Sequence, residues 1–156
     1  MEKAGVSVEN RPCVQAARQK EAQTKVFSGA IELADGTLIT GKTTSFMGTS
    51  STTIINAIKY LAGIPDEVNV IAPEAFGPIQ ALKTEYLGSI NPRLHINEVL
   101  IALSLSAQSN EQAAKALACL KELKGLQAHF TSDMKEEDLA ILSRLGIRVT
   151  FEANKK

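Results

Sequence analysis

Asp35 and Gly36 stand between two short apolar and β-branched runs, and that placement constrains the fold more than any other feature of the chain. The runs are Ala30-Ile31-Glu32-Leu33 and Thr37-Leu38-Ile39-Thr40. Asp-Gly between such runs is a strong hairpin signal, because both residues tolerate the left-handed backbone of a tight turn. The same letters carry a competing motif. Residues 36–43, Gly-Thr-Leu-Ile-Thr-Gly-Lys-Thr, match the phosphate-loop pattern G-x-x-x-x-G-K-[ST] at every position. A phosphate loop follows a buried strand, opens a helix and wraps free N–H groups round the phosphates, which calls for small or flexible residues between its glycines. Here those positions are Thr37, Leu38, Ile39 and Thr40, mostly β-branched and apolar, which read as a strand. The hairpin reading predicts a glycine at each end of one strand and no ATP held by residues 36–43.

With 156 residues the chain has the size of one ordinary domain with a sizeable core. Seventeen basic and seventeen acidic residues cancel, which leaves no broad field to gather nucleic acid or an anionic membrane surface. With no Trp, five Phe and two Tyr, base-stacking platforms and aromatic sugar grooves are disfavoured and the core must be aliphatic. Cys13 and Cys119 lie far apart without metal-like spacing and the first residues lack a secretory apolar run, so a reduced cytoplasmic setting is expected. No apolar stretch reaches the roughly twenty residues that cross a bilayer.

Residues 1–28 read as a linker or docking helix outside the core, with helix-forming composition over residues 14–25; residues 29–152 read as a single α/β domain, and 153–156 as a tail. After the hairpin, Ile54, Ile55, Ile58, Leu61 and Ala62 recur at helical spacing, with Ser50 or Ser51 as the expected N-cap and Gly63 as the stop. Residues 68–71 predict a short buried strand. Pro73 suits a first helical turn, which Gly77-Pro78 is expected to break. Residues 88–93 are turn-rich, and residues 96–107 are apolar nearly all round, as in a central buried helix. Asn110 is expected to cap a helix over residues 111–123, Asp133 and Glu136 to cap another that ends near Leu145, and residues 126–130 and 147–151 to form strands. Strands alternating with helices give an α/β layered domain.

The runs Ile31-Glu32-Leu33, Asp35-Gly36-Thr37, Thr40-Gly41-Lys42-Thr43, Asn56-Ala57-Ile58-Lys59 and Leu61-Ala62-Gly63-Ile64 recur together in a known protein family. To them are added Leu87-Gly88-Ser89, Asn91-Pro92-Arg93-Leu94-His95 and residues 98–104. Over residues 30–150 the chain resembles the C-terminal domain of a mainly bacterial family of uncharacterised proteins, domain-of-unknown-function family eighteen forty-six. The resemblance implies a domain that in typical members follows an N-terminal α/β domain, with residues 1–28 as the connector. Some members have been labelled ATP-dependent peptidases, a label whose local support would be the 36–43 match, and it is not carried over. The family pattern commonly has a Cys where this chain has Leu126, ahead of Ala128-His129, so a thiol chemistry at that position is unavailable here.

Lys42, Thr43, Thr44, Ser45, Ser50 and Ser51 lie between a strand end and a helix start, where free N–H groups, the helix dipole and a lysine charge would favour an anion. The plain alternative is a Ser/Thr-rich cap beside an exposed lysine. Asn91, Arg93 and His95 alternate, so in an extended loop they share a face. Arg93 would then grip a carboxylate or phosphate while His95 titrates near neutrality; the alternative is that these side chains pin their own loop. His129 reads first as a satisfied sheet-face histidine, and Glu74 and Glu98 as first-turn helix acids; His95, His129 and Glu74 are also the weak catalytic candidates. No zinc site and no cofactor are implied, and Cys119 reads as a small buried apolar residue.

Three functional readings follow. The first is one half of a larger protein or homo-oligomer that presents an anion-binding surface built from Lys42, Thr43, Ser50, Ser51, Asn91, Arg93 and His95 to a phosphate or carboxylate. The second is a small hydrolase or phosphoryl-transfer enzyme, and the third a non-catalytic assembly module, which would leave Lys42 and Arg93 on different faces.

Overall fold

The computed structural model describes residues 12–71 and 73–152; the expectations for residues 1–11 and for the tail at 153–156 lie outside the described residues. Four strands form one mixed sheet in the order β2-β1-β3-β4. β1 (Ser28–Glu32) pairs antiparallel with both β2 (Leu38–Lys42) and β3 (Gln127–Phe130), and β3 pairs parallel with β4 (Arg148–Phe151). Helix α6 (Glu136–Arg144) supplies the crossover that a parallel pair requires. The other helices are α1 (Pro12–Thr24), α2 (Thr49–Leu61), α3 (Pro73–Ala81), α4 (Ile96–Ser106) and α5 (Glu111–Ala118).

The hairpin is present, with residues 33–37 as its connection. Gly36 takes φ +90, Thr37 N–H donates to Asp35 Oδ1 at 3.0 Å, and Leu33 N–H donates to the Thr37 carbonyl at 2.8 Å. The second glycine of the phosphate-loop pattern has a different task. Gly41 faces Gly29 across β1 and β2, and a Cβ built on Gly41 would lie 2.6 Å from Thr53 N and 2.7 Å from Thr53 Cα. The two glycines let α2 approach the sheet at a distance that a side chain would forbid.

β1 is buried on both faces. Ala30 packs with Cys13 and Ala17 of α1, whereas Ile31 belongs to the main aliphatic core with Ile54, Ile58, Leu103, Phe130 and Leu142. Period-two alternation therefore sets α1 and α2 on opposite faces of the sheet. Residues 12–24 lie packed on the sheet, with Cys13, Val14 and Ala17 fully buried.

Several local expectations are corrected. Residues 68–71 form no strand; Val70 and Ile71 are buried, but Val68 N–H bonds to the Pro65 carbonyl in a turn and among the described residues no neighbouring strand offers a ladder. Gly77-Pro78 does not stop α3: Pro78 lies inside the helix, where the Glu74 carbonyl that loses its partner belongs to an exposed residue, and the winding widens beyond it to a π-turn over Leu82–Tyr86. The buried central helix is α2, not α4: Ile101 and Leu105 of α4 are 60% and 68% exposed. The N-cap of α2 is Gly48, so Ser50 and Ser51 sit inside its first turn. Lys135, not Asp133, precedes α6, and Asp133 Oδ1 instead accepts from Met134 N–H. Asn110 does cap α5, accepting from the Gln112 and Ala113 N–H groups, and the run beyond Ala118 tightens to a 3₁₀ turn over Cys119–Leu123. Cys119 is half-buried rather than enclosed, with its thiol pKa pushed up by burial and then by Glu122.

Candidate functional site

Residues 43–48 and 91–95 run side by side. Leu94 N–H donates to the Phe46 carbonyl at 2.8 Å, Gly48 N–H to the Leu94 carbonyl at 3.2 Å, and Met47 and Leu94 form a parallel bridge. Arg93 Nε donates to the Thr44 carbonyl at 2.6 Å. Within the second segment, Asn91 Oδ1 accepts from Arg93 N–H at 3.0 Å, and the buried Lys83 of the π-turn donates to the Arg93 carbonyl and, at 2.9 Å, to Glu98 Oε1. Glu98 Oε1 also accepts from His95 N–H at 2.7 Å, which closes the entry to α4.

These segments and residues 132–138 enclose a cavity of about 200 Å³. Its lining includes Thr43, Ser50, Asn91, Arg93, His95 and Asp138, and the starts of α2, α4 and α6 all border it. The α2 start is the least compensated of the three. α4 and α6 carry acids in their first turns, whereas α2 carries none, and Gly48 contributes no side-chain cap. The first N–H with a helical partner is that of Thr52, bonded to the Gly48 carbonyl at 3.0 Å. The N–H groups of Thr49, Ser50 and Ser51 thus stand ahead of the ladder, on residues 7%, 4% and 0% exposed. Ser51 Oγ donates to the Leu94 carbonyl and Thr43 Oγ1 bonds Thr49 Oγ1 at 2.6 Å, while the Ser50 hydroxyl makes no hydrogen bond among the described residues.

Asp138, in the first turn of α6, is the anomalous group. It is 9% exposed, its Oδ1 has no hydrogen-bond partner among the described residues, and its Oδ2 lies 3.7 Å from His95 Nδ1, an electrostatic contact too long for a hydrogen bond. Burial pushes its pKa up, against the opposing pull of His95 and the Ile96 N–H. A carboxyl whose folded pKa exceeds its unfolded value contributes stability at low pH that is lost as pH rises through the folded pKa. Asp138→Asn should therefore match wild type in denaturant melts at acid pH and gain on it as the pH rises through the folded pKa of Asp138. Parallel pH curves for the two proteins would contradict the assignment.

Of the residues singled out in the sequence, the cavity brings together Thr43, Ser50, Ser51, Asn91, Arg93 and His95. Lys42 is not among its lining residues. Strand alternation explains this, since Gly41 faces α2 and its neighbour Lys42 must face the other way. Arg93 has the pinning role considered for it, with Nε on the Thr44 carbonyl, and it also lines the cavity. Glu74 is exposed on α3, away from the cavity lining. His129 is buried on the sheet, with Nδ1 2.7 Å from Thr150 Oγ1 and Nε2 2.8 Å from Glu152 Oε2, which also accepts from Arg18 Nε. Asp138, Lys83 and Ser132 were not legible as site residues. Asp138 looks like an ordinary dipole-favoured first-turn acid, and only tertiary packing buries it. Among the described residues no group of three or more His, Cys, Asp or Glu is placed to hold a metal ion, and no helix is long and apolar enough to cross a membrane.

The fold and cavity define a small α/β domain whose polar site is assembled from helix starts and two stitched loops. Similar sequences occur as part of longer chains. A UPF0371 protein of Corynebacterium aurimucosum is 49% identical over 97% of this chain and 30% of its own length; one of Corynebacterium diphtheriae is 48% identical over 99% and 32%, and one of Streptococcus uberis 48% over 97% and 31%. The chain thus spans about a third of the length of these curated relatives. The model for the C-terminal domain of unknown function DUF1846 matches residues 9–156, and the chain belongs to that family.

Proposed function

We propose that this domain presents a binding site for a small oxyanion, a phosphate or carboxylate, at the start of α2, and that it works as one part of a larger protein or oligomer in the cytoplasm. The observation that carries the reading is the buried first turn of α2. Its N–H groups open on the cavity with neither an acid nor a side-chain cap to compensate them. An anion there gains from the dipole and from the Arg93 guanidinium, whose terminal nitrogens have no hydrogen-bond partner among the described residues. Lys42 has no part in the site, so the set is Thr43, Ser50, Ser51, Asn91, Arg93 and His95. The length of the relatives supports a preceding partner domain.

The enzymatic alternative draws on the His95–Asp138 pair beside the same cavity. The assembly alternative draws on the exposed Tyr86, Leu87, Ile90, Ile101 and Leu105 and on the separation of Lys42 from Arg93, the arrangement expected of it. Calorimetric titration with inorganic phosphate tests the leading reading. Arg93→Ala should abolish measurable heat and, because the Thr44 carbonyl loses its donor, lower stability by about 1 kcal/mol. Unchanged phosphate affinity in Arg93→Ala would count against the site.

A further inference from the structure

The anion cradle contains two groups that do not suit an anion, Asp133 and Asp138, and only the second is buried. Asp138 Oδ1 is enclosed and unpartnered among the described residues, on a residue nine-tenths buried that lines the cavity with Arg93, His95 and the start of α2. A native structure rarely leaves a buried acceptor unpaired, because each such atom costs a lost hydrogen bond with water. An ionised carboxyl only accepts, so the partner it awaits must bring a proton. Resting on the oxyanion reading above, we propose that Asp138 accepts a hydrogen bond from a protonated oxygen of the bound anion, so that the site selects phosphate or a phosphate monoester over sulfate.

The selectivity follows from acidity. A phosphate monoester keeps a second ionisation at about pH 6, so near neutrality one proton on the ligand is cheap to retain. Sulfate is fully ionised there and would set a bare oxygen against the carboxylate, two acceptors with no hydrogen between them. The groups that bear on Asp138 are His95 ahead of α4, Lys135 just before its own helix and Glu137 on it, and Arg93 and Asp133 in the cavity lining; the part of α2 that borders the cavity, Thr49 to Ser51, carries no titratable side chain. His95, Lys135 and Arg93 act on both anions in wild type and in Asp138→Asn, so the change in the affinity ratio on substitution isolates Asp138.

The test is a set of calorimetric titrations of the full chain with inorganic phosphate, glycerol phosphate and sulfate, at pH 7.5 and pH 5, for wild type and Asp138→Asn. Wild type should bind phosphate at least about tenfold more tightly than sulfate at pH 7.5, and the ratio should fall as the pH is lowered and Asp138 takes up a proton with which it can donate to sulfate. Asp138→Asn, whose amide donates to either anion, should show a ratio near one at both pH values. Tighter binding of glycerol phosphate than of inorganic phosphate assigns the site to a monoester, and the reverse order to free phosphate. Equal phosphate and sulfate affinities in wild type would overturn the selectivity while leaving the oxyanion site standing. Binding of neither anion would end both. Circular dichroism of Asp138→Asn checks that a lost ratio is not a lost fold.

Discussion

Gly41→Val should destabilise the domain by about 3 kcal/mol, the upper end of the range for overpacking a tight contact. The reason is the identity of the atoms that a side chain would meet. A Cβ at residue 41 falls 2.6 Å from Thr53 N, 2.7 Å from Thr53 Cα and 2.7 Å from Thr53 Oγ1, so backbone in the middle of α2 would have to move. A flexible side chain could yield, whereas a helix pinned to the sheet by Ile54 and Ile58 cannot without opening the core. Gly77→Ala is the matched control, because a Cβ at residue 77 meets nothing within 4 Å and alanine favours the helix of α3. Urea melts should show opposite signs for the two substitutions. A Gly41→Val protein within about 0.5 kcal/mol of wild type would mean that the glycine does not serve the packing of α2.

Lys83→Ala should cost about 3 kcal/mol and weaken anion binding together. Lys83 is 7% exposed and is the shared donor to the Arg93 carbonyl and the Glu98 carboxylate. Its removal strands one partly buried charge and one carbonyl. Breaking a buried pair by removing one partner costs about 3–5 kcal/mol, and the 29% exposure of the Glu98 side chain places this case at the lower end. Because Glu98 Oε1 also holds His95 N–H and the Arg93 backbone sits between Lys83 and Asn91, the loop that presents Arg93 and His95 should loosen. Lys83→Met with Glu98→Gln, which removes both charges, should recover part of the stability. If Lys83→Ala melts like wild type, the ion pair is not what holds the loop.

The elements legible in the sequence were those whose signals are local. Asp35-Gly36 marked the hairpin connection, Asn110 marked the cap of α5, and the alternation of strands with helices marked the α/β class. Ser50, Ser51, Asn91, Arg93 and His95, singled out by residue type beside a helix start, do line one cavity. What failed depended on partners distant in the chain. Residues 68–71 have the composition of a strand but no neighbouring strand to pair with, and residues 96–107 have the composition of a buried helix although Ile101 and Leu105 face outwards. Lys42 was misplaced because the strand parity that turns it away from α2 is fixed by Gly41 against Thr53, a contact visible only in three dimensions. Asp138 lies 43 positions after His95 in the chain, and nothing local distinguishes it from Glu136 or Glu137.

The oxyanion proposed for the first turn of α2 is tested most directly by amide NMR during a phosphate titration at pH 7, because the N–H groups named as donors report their own hydrogen bonds. Saturating shifts are expected at Thr49, Ser50 and Ser51, smaller ones at residues 93–96, and none at residues 36–40 of the hairpin. Helix dipole and backbone donors each contribute on the order of 1 kcal/mol, so saturation is expected at millimolar phosphate. Shifts confined to the hairpin, or no change at Thr49–Ser51 up to tens of millimolar phosphate, would contradict it.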